Sequence, residues 1–532
     1  MAAGHHAKTG AGEQGSKAIG WSHRRIIFLA RSAQVIIARM RTLIRFLGLV
    51  VVVGVLGFGA AWWWAGRSGG PAVELKRPDK FIGRSTALEL SVKSPGGQFS
   101  ALDITLEQNG RKHEIFTLEQ QGQSQVRQES AESLYVMRPV GKLAIPDLQS
   151  GKATLTIRAA RPVLFGLRHP ETVVTRNLEV RFDPPRVSPV STFHYVNHGG
   201  SEFVVYRVTP EGTKSGVRVG DKEYAGYPAS GAGITSDPAL RVAFFALLYD
   251  QDRNTSIQLF ARDEADNEAT VPLEHMVFPK PFSKSKIELT DAFLQRVVPA
   301  IAAASPDEKI DTTDLLAGFL TINGDLRKKN NAYVTSMAAK SAPEMKFKDA
   351  FHQLGNSQVE AKFADARTYL YKGKEVDQQV HLGFDLAVTA QVPIVAAHYG
   401  TVVHAGDLGI YGNCVILDHG LGVQSLYGHL SSIDVKVGDT VNKGQTIGRS
   451  GMTGLAGGDH LHFTMLVNGH PVNTVEWCDA HWVQDRVDRK LHEAGSPTGA
   501  SAAWSLAPKP PASPPRVAPR SRAPRARRAA GR

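Results

Sequence analysis

Cysteine is almost absent from this chain, with two residues, Cys414 and Cys478, among 532. Neither lies in a CxxC pair, which argues against a zinc site built from cysteine. In an oxidising compartment the two thiols could form one disulfide, but the sequence does not supply the distance between their Cα atoms. One disulfide and two unconnected buried thiols are therefore equal alternatives.

Acidic residues are nearly missing from both ends of the chain, although its formal net charge is +12. Residues 1–45 hold eight Lys and Arg against the single acid Glu13, and residues 505–532 hold eight with no acid. Subtracting the +7 and +8 of these two ends from +12 leaves −3 for residues 46–504. The folded body is thus nearly neutral, which argues against a duplex-binding face, and no nucleic-acid partner is expected.

Only one long apolar run is present, FLGLVVVVGVLGFGAAWWWA at residues 46–65. Its twenty uncharged residues are enough to span a hydrocarbon core of about 30 Å at about 1.5 Å per residue. Three arginines within residues 39–45 precede the run and three tryptophans end it, so the positive-inside rule keeps residues 1–45 cytoplasmic. This predicts one transmembrane helix at 46–65 in the cytoplasmic (inner) membrane, with the chain after Arg67 in the periplasm or extracellular envelope. A cleaved signal peptide is the alternative, but the run and its basic lead are long for one.

Short runs of alternating polar and apolar residues follow, such as ALELSV at 87–92, and they predict strands. Two such blocks resemble immunoglobulin-like β-sandwiches and are expected to act as spacers. Segments such as LTDAFLQRVV have helical spacing instead. The pattern predicts a β-sandwich-like domain at 72–184, a second β-rich domain at 185–278 and a helical lead-in at 285–365.

The chain ends in a segment rich in Pro, Ala and Arg, residues 496–532, with almost nothing apolar to bury. Such a composition does not offset the entropy cost of ordering, so the segment is predicted to be disordered. It is either a solubilising linker or a polycation that holds an anionic envelope polymer.

Three short motifs near the C-terminus concentrate histidine and aspartate. HLGFDLA contains His381 and Asp385, SLYGHLSSI contains His429, and GGDHLHF contains His460 and His462. In a strand, residues whose numbers differ by an even number lie on the same face. The side chains of His381 and Asp385 can therefore point the same way, and so can those of His460 and His462. A catalytic zinc takes three protein ligands from His and carboxylate and leaves one position to water.

In their order, and in the glycine framework between them, these motifs resemble the lysostaphin/LytM-type zinc metallopeptidases that cut peptidoglycan peptides. The resemblance covers about 366–478 and implies a C-terminal β-rich peptidase domain at 366–480, in a chain that is mainly β. It also implies one Zn²⁺ held by His381, Asp385 and His462, with His429 and His460 as catalytic residues that do not bind the metal.

The chemistry expected of such a site is hydrolysis of a peptide bond in peptidoglycan stem peptides or cross-links. Zinc lowers the pKa of a bound water to about 7 and polarises the scissile carbonyl. No HExxH glutamate is present, so His429 and His460 are the candidates for moving protons. The sequence does not divide the two roles between them.

Three alternatives remain beside this hypothesis. Some relatives of this domain are non-catalytic activators of wall amidases, although these usually lose ligands that the present chain keeps. The segment VKVGDTVNKGQTIG also resembles the turn of biotinyl and lipoyl carriers, with Lys443 as the residue to be modified. A passive envelope scaffold is the third alternative. The remaining histidines near the motifs are interpreted as structural: His398, His404, His419, His470 and His481.

Overall fold

The structure, a computed structural model, describes residues 17–118 and 126–495, with residues 17–38 and 126 described by their backbone alone. It divides into two compact units, Met1–Phe182 and Asp183–Arg532. The predicted disordered tail at 496–532 and its proposed anionic partner lie outside the described residues. The expectation of a mainly β chain is confirmed.

The first element is one long helix, α1 (Lys17–Arg67). It begins 29 residues before the predicted start at 46, and the basic lead contains no proline that would end it. Within the described residues, the part from Arg39 to Arg67 is long and apolar enough to cross a membrane by length and composition. This part of α1 is therefore compatible with the predicted membrane span.

Two sheets follow α1 and enclose a common core. Four strands pair in the order β1-β3-β7-β6, and five in the order β2-β9-β8-β4-β5. Alternate residues of β3 and β4 are fully buried between the sheets, which is the period-two pattern from which strands were predicted here. The strands are β1 (Ala72–Arg77), β2 (Phe81–Ile82), β3 (Ala87–Lys93), β4 (Ala101–Gln108), β5 (Arg111–Thr117), β6 (Val126–Ser130), β7 (Ser133–Pro139), β8 (Gly151–Ala160) and β9 (Glu171–Val180).

The second unit opens with another strand-rich block. Its strands pair as β10-β12-β16-β15, β14-β13-β17-β18 and β11-β19. The strands are β10 (Arg186–Pro189), β11 (His194–Asn197), β12 (Ser201–Thr209), β13 (Lys214–Val219), β14 (Lys222–Ala225), β15 (Tyr227–Pro228), β16 (Leu240–Ala246), β17 (Ile257–Arg262), β18 (Glu268–Pro272) and β19 (His275–Phe278).

The segment that connects this block to the histidine motifs is helical in its centre and extended at both ends. Thr290 and Asp314 cap two of its helices by accepting hydrogen bonds from backbone N–H groups of the first turn. One of its end strands pairs with the strand that contains Asp385. The elements are β20 (Lys284–Leu289), α2 (Asp291–Ala304), α3 (Leu315–Thr321), α4 (Arg327–Ser336) and β21 (Gln358–Ala361).

The C-terminal region is built around a sheet ordered β21-β24-β32-β28-β27-β26-β30, with β33 paired to β32. A second sheet has the order β20-β22-β23 and a third the order β25-β31-β29. The remaining elements are β22 (Asp365–Tyr371), β23 (Lys374–His381), β24 (Phe384–Ala387), β25 (Pro393–Val395), β26 (Gly400–Asp407), β27 (Asn413–Asp418), β28 (Val423–Leu430), β29 (Ser432–Ile433), β30 (Thr440–Val441), β31 (Thr446–Arg449), β32 (Leu461–Val467), β33 (His470–Val472), α5 (Thr474–Trp477), α6 (Ala480–Val483) and α7 (Arg489–Gly495).

The second β-rich block and the C-terminal region share one hydrophobic core, which differs from the expectation of a spacer. All seven residues of β16 are buried, so this strand is covered on both faces. The rings of Phe244 and Trp477 lie 5.4 Å apart, and Trp477 Nε1 donates to Ser201 Oγ at 3.2 Å. The block therefore packs as part of the C-terminal region.

Candidate metal centre

Three neighbouring strands and one strand end bring the five predicted site residues together. Asp385 on β24 lies directly opposite His462 on β32, and Gly428 on β28 lies opposite His462 on the other side. His429 follows Gly428, His460 immediately precedes β32, and His381 is the last residue of β23. All five side chains are buried, between 5% and 7% exposed as residues.

His381, Asp385 and His462, called the triad below, direct one atom each at a common point. His381 Nε2 lies 3.0 Å from Asp385 Oδ1 and 3.1 Å from His462 Nδ1, and that nitrogen lies 2.9 Å from Asp385 Oδ1. Ligands at about 2.1 Å in a tetrahedral zinc site are roughly 3.4 Å apart, so the triad needs only a small expansion to hold such an ion.

The surrounding hydrogen bonds assign a tautomer to both triad histidines. His381 Nδ1 lies 3.1 Å from the Lys362 carbonyl oxygen and therefore donates to it, which leaves a lone pair on Nε2. Thr464 Oγ1 donates to the Leu382 carbonyl oxygen and accepts from His462 Nε2 at 3.1 Å, which leaves a lone pair on Nδ1. Two lone pairs and a carboxylate oxygen thus face one another at about 3 Å, and a cation between them removes the repulsion.

Burial and local charge set the protonation of the triad. Burial lowers the pKa of His462 to about 4, which keeps the ring neutral and able to bind a metal. Burial alone would raise the pKa of Asp385, but its electrostatic interaction with His381 and its contacts with His460 and His462 hold it well below its usual value. The triad therefore offers the Asp385 carboxylate and the neutral His462 imidazole at neutral pH.

Arg367 on β22 completes the surroundings of Asp385, and the motif spacing gave no indication of it. Its Nη2 donates to Asp385 Oδ2 at 3.1 Å, so the carboxylate directs Oδ1 at the triad and Oδ2 at the guanidinium. Thr464 and the Lys362 carbonyl were also missed. Only Thr464 had a signal, since it lies two residues after His462 and on the same strand face.

Gly383 of the HLGFD motif has a steric role beside the triad. A Cβ atom at this position would lie 2.2 Å from His462 Cε1 and 2.4 Å from His462 Nε2. Any side chain here would displace the ring that supplies one of the three atoms. The glycine between His381 and Asp385 is therefore required by close packing.

His429 and His460 stand beside the triad with their rings 4.9 Å apart. His429 Nδ1 bonds the Thr453 carbonyl oxygen, and His460 Nδ1 bonds that of Gly458, both at 2.9 Å. His460 Nε2 lies 3.6 Å from Asp385 Oδ1. The backbone of His429 has φ +64°, a strained conformation for a non-glycine residue and one found at functional sites.

The two rings differ in how readily they take a proton. Burial lowers the pKa of His429 well below its usual value, and the nearby His460 and His462 add to the effect. Burial also opposes charge on His460, but its close contact with the Asp385 carboxylate and the charge of that group raise its pKa overall. The site thus contains one imidazole that resists protonation beside one that favours it.

The remaining histidines have other partners. Five of them lie outside the centre: His398 bonds Asp349, His404 bonds Tyr333, His419 bonds Tyr399 and Ser425, His470 packs edge-on against Tyr224, and His481 lies 3.5 Å from Asp485.

The lysine of the carrier-like turn and the two cysteines are also accounted for. Lys443 donates to Asp349 and to the Ala350 carbonyl, which lends no support to a modified lysine. Cys414 and Cys478 are both free thiols, so of the two alternatives the structure has the unconnected pair.

Residues 379–474 match the model of peptidase family M23, and all five predicted site residues lie within the match. The chain is 40% identical over 97 residues to the DD-carboxypeptidase/endopeptidase Mpg of Neisseria meningitidis, which covers 18% of this chain and 22% of that protein. It is 41% identical over 96 residues to the peptidoglycan DD-endopeptidase ShyA of Vibrio cholerae, again 18% and 22%. Lysostaphin of Staphylococcus staphylolyticus is 39% identical over 99 residues, 18% of this chain and 21% of its own.

The chain thus spans about a fifth of the length of the curated relatives that it matches. The expected resemblance to lysostaphin/LytM-type peptidases is confirmed for the C-terminal domain.

Proposed function

We propose that this protein, whose residues 379–474 match peptidase family M23, is a zinc-dependent endopeptidase. It would hydrolyse peptide bonds in peptidoglycan stem peptides or cross-links. The observation that carries this proposal is the convergence of two imidazole lone pairs and one carboxylate oxygen on a buried point. The relatives from Neisseria meningitidis and Vibrio cholerae are both named as endopeptidases, and this supports the substrate class.

The triad would hold one Zn²⁺ through His381 Nε2, Asp385 Oδ1 and His462 Nδ1. When bound, zinc supplies a water of pKa about 7 and polarises the scissile carbonyl. Arg367 holds the outer oxygen of Asp385, and the Lys362 carbonyl holds the outer nitrogen of His381. Both contacts orient the inner atoms toward the metal position.

His429 and His460 move protons in this proposal. Each ring bonds a backbone carbonyl through Nδ1, so each is held rigidly and presents Nε2 to the space beside the triad. From there an imidazole can accept a proton from water, donate one to the leaving amine or bond the developing oxyanion. Two rings allow one to accept while the other donates.

The membrane topology belongs to the same proposal. The helix from Arg39 to Arg67 is suited to anchoring the chain in the cytoplasmic membrane, with its N-terminus inside. The domain would then face the peptidoglycan from the periplasmic or extracellular side.

Digestion of purified peptidoglycan by the full chain, with mass spectrometry of the products, tests the proposal. We expect new peptide termini, loss of cleavage with a chelator and recovery with added zinc. Metal content measured on the same sample should approach one zinc per chain. Intact peptidoglycan from a zinc-loaded, folded chain would contradict the enzyme proposal, and stimulation of a wall amidase by that chain would favour the activator alternative.

A further inference from the structure

The hairpin between β8 and β9 ends in an apolar tip, residues 163–167 with the sequence VLFGL, of which residues 165–167 are exposed. Phe165 is fully exposed, at 103%, and Leu167 is 57% exposed. Leu164 and Phe165 adopt φ values of +52° and +54°, which non-glycine residues rarely adopt. A strained backbone that exposes a phenylalanine to solvent indicates a binding surface.

The same hairpin contacts the end of α1. Arg168 Nη1 donates to the Trp62 carbonyl oxygen at 2.9 Å, and the Arg168 guanidinium lies 4.8 Å from the centre of the Trp62 ring. Arg161, at the base of the hairpin, donates to the Gly69 carbonyl oxygen at 2.9 Å. The hairpin therefore lies alongside the helix end rather than away from it.

The point of contact fixes the height of the hairpin along α1. Trp62 precedes the helix end at Arg67 by five residues, which corresponds to roughly 7 Å along the axis. It belongs to the tryptophan cluster at the end of the apolar run, and tryptophan favours the headgroup region of a bilayer. If α1 spans a membrane, the hairpin reaches the level of the headgroups.

We propose that the hairpin tip at 163–167 is a membrane-docking element that inserts Phe165 and Leu167 into the headgroup region of the bilayer that α1 spans. Arg161 and Arg168 flank the apolar tip and place positive charge beside it, which suits an anionic lipid surface. The tip and its flanks match a lipid interface, which is apolar inside and anionic at its surface. This inference depends on the membrane anchoring proposed above and not on the peptidase activity. It makes the first β-sandwich a module fixed on the membrane surface.

Leu143 provides a matched control at the opposite end of the sandwich. It is 79% exposed, and its backbone N–H donates to the Arg84 carbonyl oxygen. Arg84 follows β2, which pairs with the last two residues of β9, whereas the hairpin joins the first residue of β9. The ten residues of β9 place these two ends roughly 30 Å apart.

The experiment uses the full chain in lipid nanodiscs made of phosphatidylethanolamine and phosphatidylglycerol. Phe165→Cys and Leu143→Cys are each made with Cys478→Ser and labelled with bimane, because the remaining Cys414 is fully buried. A second set of nanodiscs contains lipid with a nitroxide near the headgroup. Thermal unfolding of each labelled chain should match the parent, since both positions are exposed.

We expect the nitroxide to lower bimane emission at position 165 about twofold and to leave position 143 nearly unchanged. Equal emission at 165 with and without nitroxide, in a chain that co-purifies with nanodiscs, would overturn the docking proposal. Shielding of position 165 from aqueous iodide without nitroxide quenching would also overturn it, because it would indicate contact with a second copy of the chain. Failure to co-purify with nanodiscs would overturn the anchor and the docking together.

Discussion

The metal centre and the junction between the second β-rich block and the C-terminal helices both bury charged groups, but they satisfy them differently. At the junction, Lys490 Nζ donates to Glu202 Oε1 and to the Phe203 carbonyl oxygen, both at 2.7 Å. The other Glu202 oxygen accepts from Tyr195 N at 2.8 Å. Neither Glu202 nor Lys490 has an exposed side chain, and the protein itself supplies hydrogen-bond partners to both.

At the metal centre the inner atoms of the triad face one another at about 3 Å, and His460 Nε2 lies 3.6 Å from Asp385 Oδ1. Their outer atoms are held by Arg367, Thr464 and the Lys362 carbonyl, so the ring and carboxylate orientations are fixed while the inner lone pairs stay mutually repulsive. A buried charge that the protein neutralises is structural. Buried lone pairs that the protein aligns and does not neutralise indicate a ligand.

His462→Ala should have the largest effect, because it removes one of three inner atoms. We expect zinc content to fall to about a tenth of the parent value or less, and peptidoglycan cleavage to be lost with it. Metal analysis beside cleavage assays on the same preparation checks both. A zinc content equal to that of the parent would show that His462 is not a metal ligand.

His460→Ala should separate chemistry from metal binding at the same centre. The variant should keep nearly one zinc per chain while turnover falls by about 10² to 10⁴, the scale of a lost acid or base. His429→Ala should behave in the same way. Zinc loss equal to that of His462→Ala would show that the division between triad and flanking histidines is wrong.

Much of this centre was predictable from the sequence, because the spacing within the motifs made their residues candidates and the resemblance to lysostaphin/LytM-type peptidases implied the role of each. The opposition of Asp385 and His462 across β24 and β32 was not, because register between distant strands depends on the whole sheet. Arg367 was missed for the same reason. It reaches Asp385 only because β22 pairs with β23, which ends at His381.

The junction was less predictable. The run LRVAFFA of β16 is apolar on both faces. This predicts a strand that is packed on both faces, but it does not identify the elements that pack against it. The residues that pack against β16 include Trp477, which lies more than 200 residues later in the chain. Predictions based on local pattern therefore found two β-rich blocks and not the joining of the second one to the C-terminal region.

Lys490→Met tests the junction, where the protein itself pairs the buried charges. It removes the nearest cation of buried Glu202 and leaves only Arg486 Nε at 3.7 Å. Loss of one partner of a buried pair typically costs about 3–5 kcal/mol of unfolding free energy. Lys222→Met is the control, since the Lys222–Asp221 pair is exposed and should contribute about 1 kcal/mol or less. Denaturant unfolding measures both, and equal small losses would show that the junction does not depend on its ion pair.

His419 gives a pH test of a buried imidazole with both nitrogens bonded. Burial lowers its pKa from 6.5 in the unfolded chain to about 3. Between these values the unfolded state binds a proton that the folded state does not, so this group lowers stability as pH falls below 6.5, by up to roughly 5 kcal/mol. His419→Asn keeps a donor for the Tyr399 carbonyl and should flatten the dependence of Tm on pH between about 6.5 and 4. An unchanged slope would contradict this assignment.

Arg367→Met should have the smallest effect and tests whether alignment of the triad matters. Removing the guanidinium frees Asp385 Oδ2 but leaves all three inner atoms in place, so zinc should still bind. Loss of an outer contact typically weakens metal affinity about 10- to 100-fold, and competition with a zinc chelator measures this without relying on activity. Arg262→Met is the matched control, because Arg262 also forms a partly buried ion pair, with Glu268 at 2.6 Å on strands of the second β-rich block. Weaker zinc binding in the first variant alone would show that β22, which begins before the M23 match at 379, helps to build the centre. Unchanged affinity in both would mean that β23, β24 and β32 align the triad without Arg367.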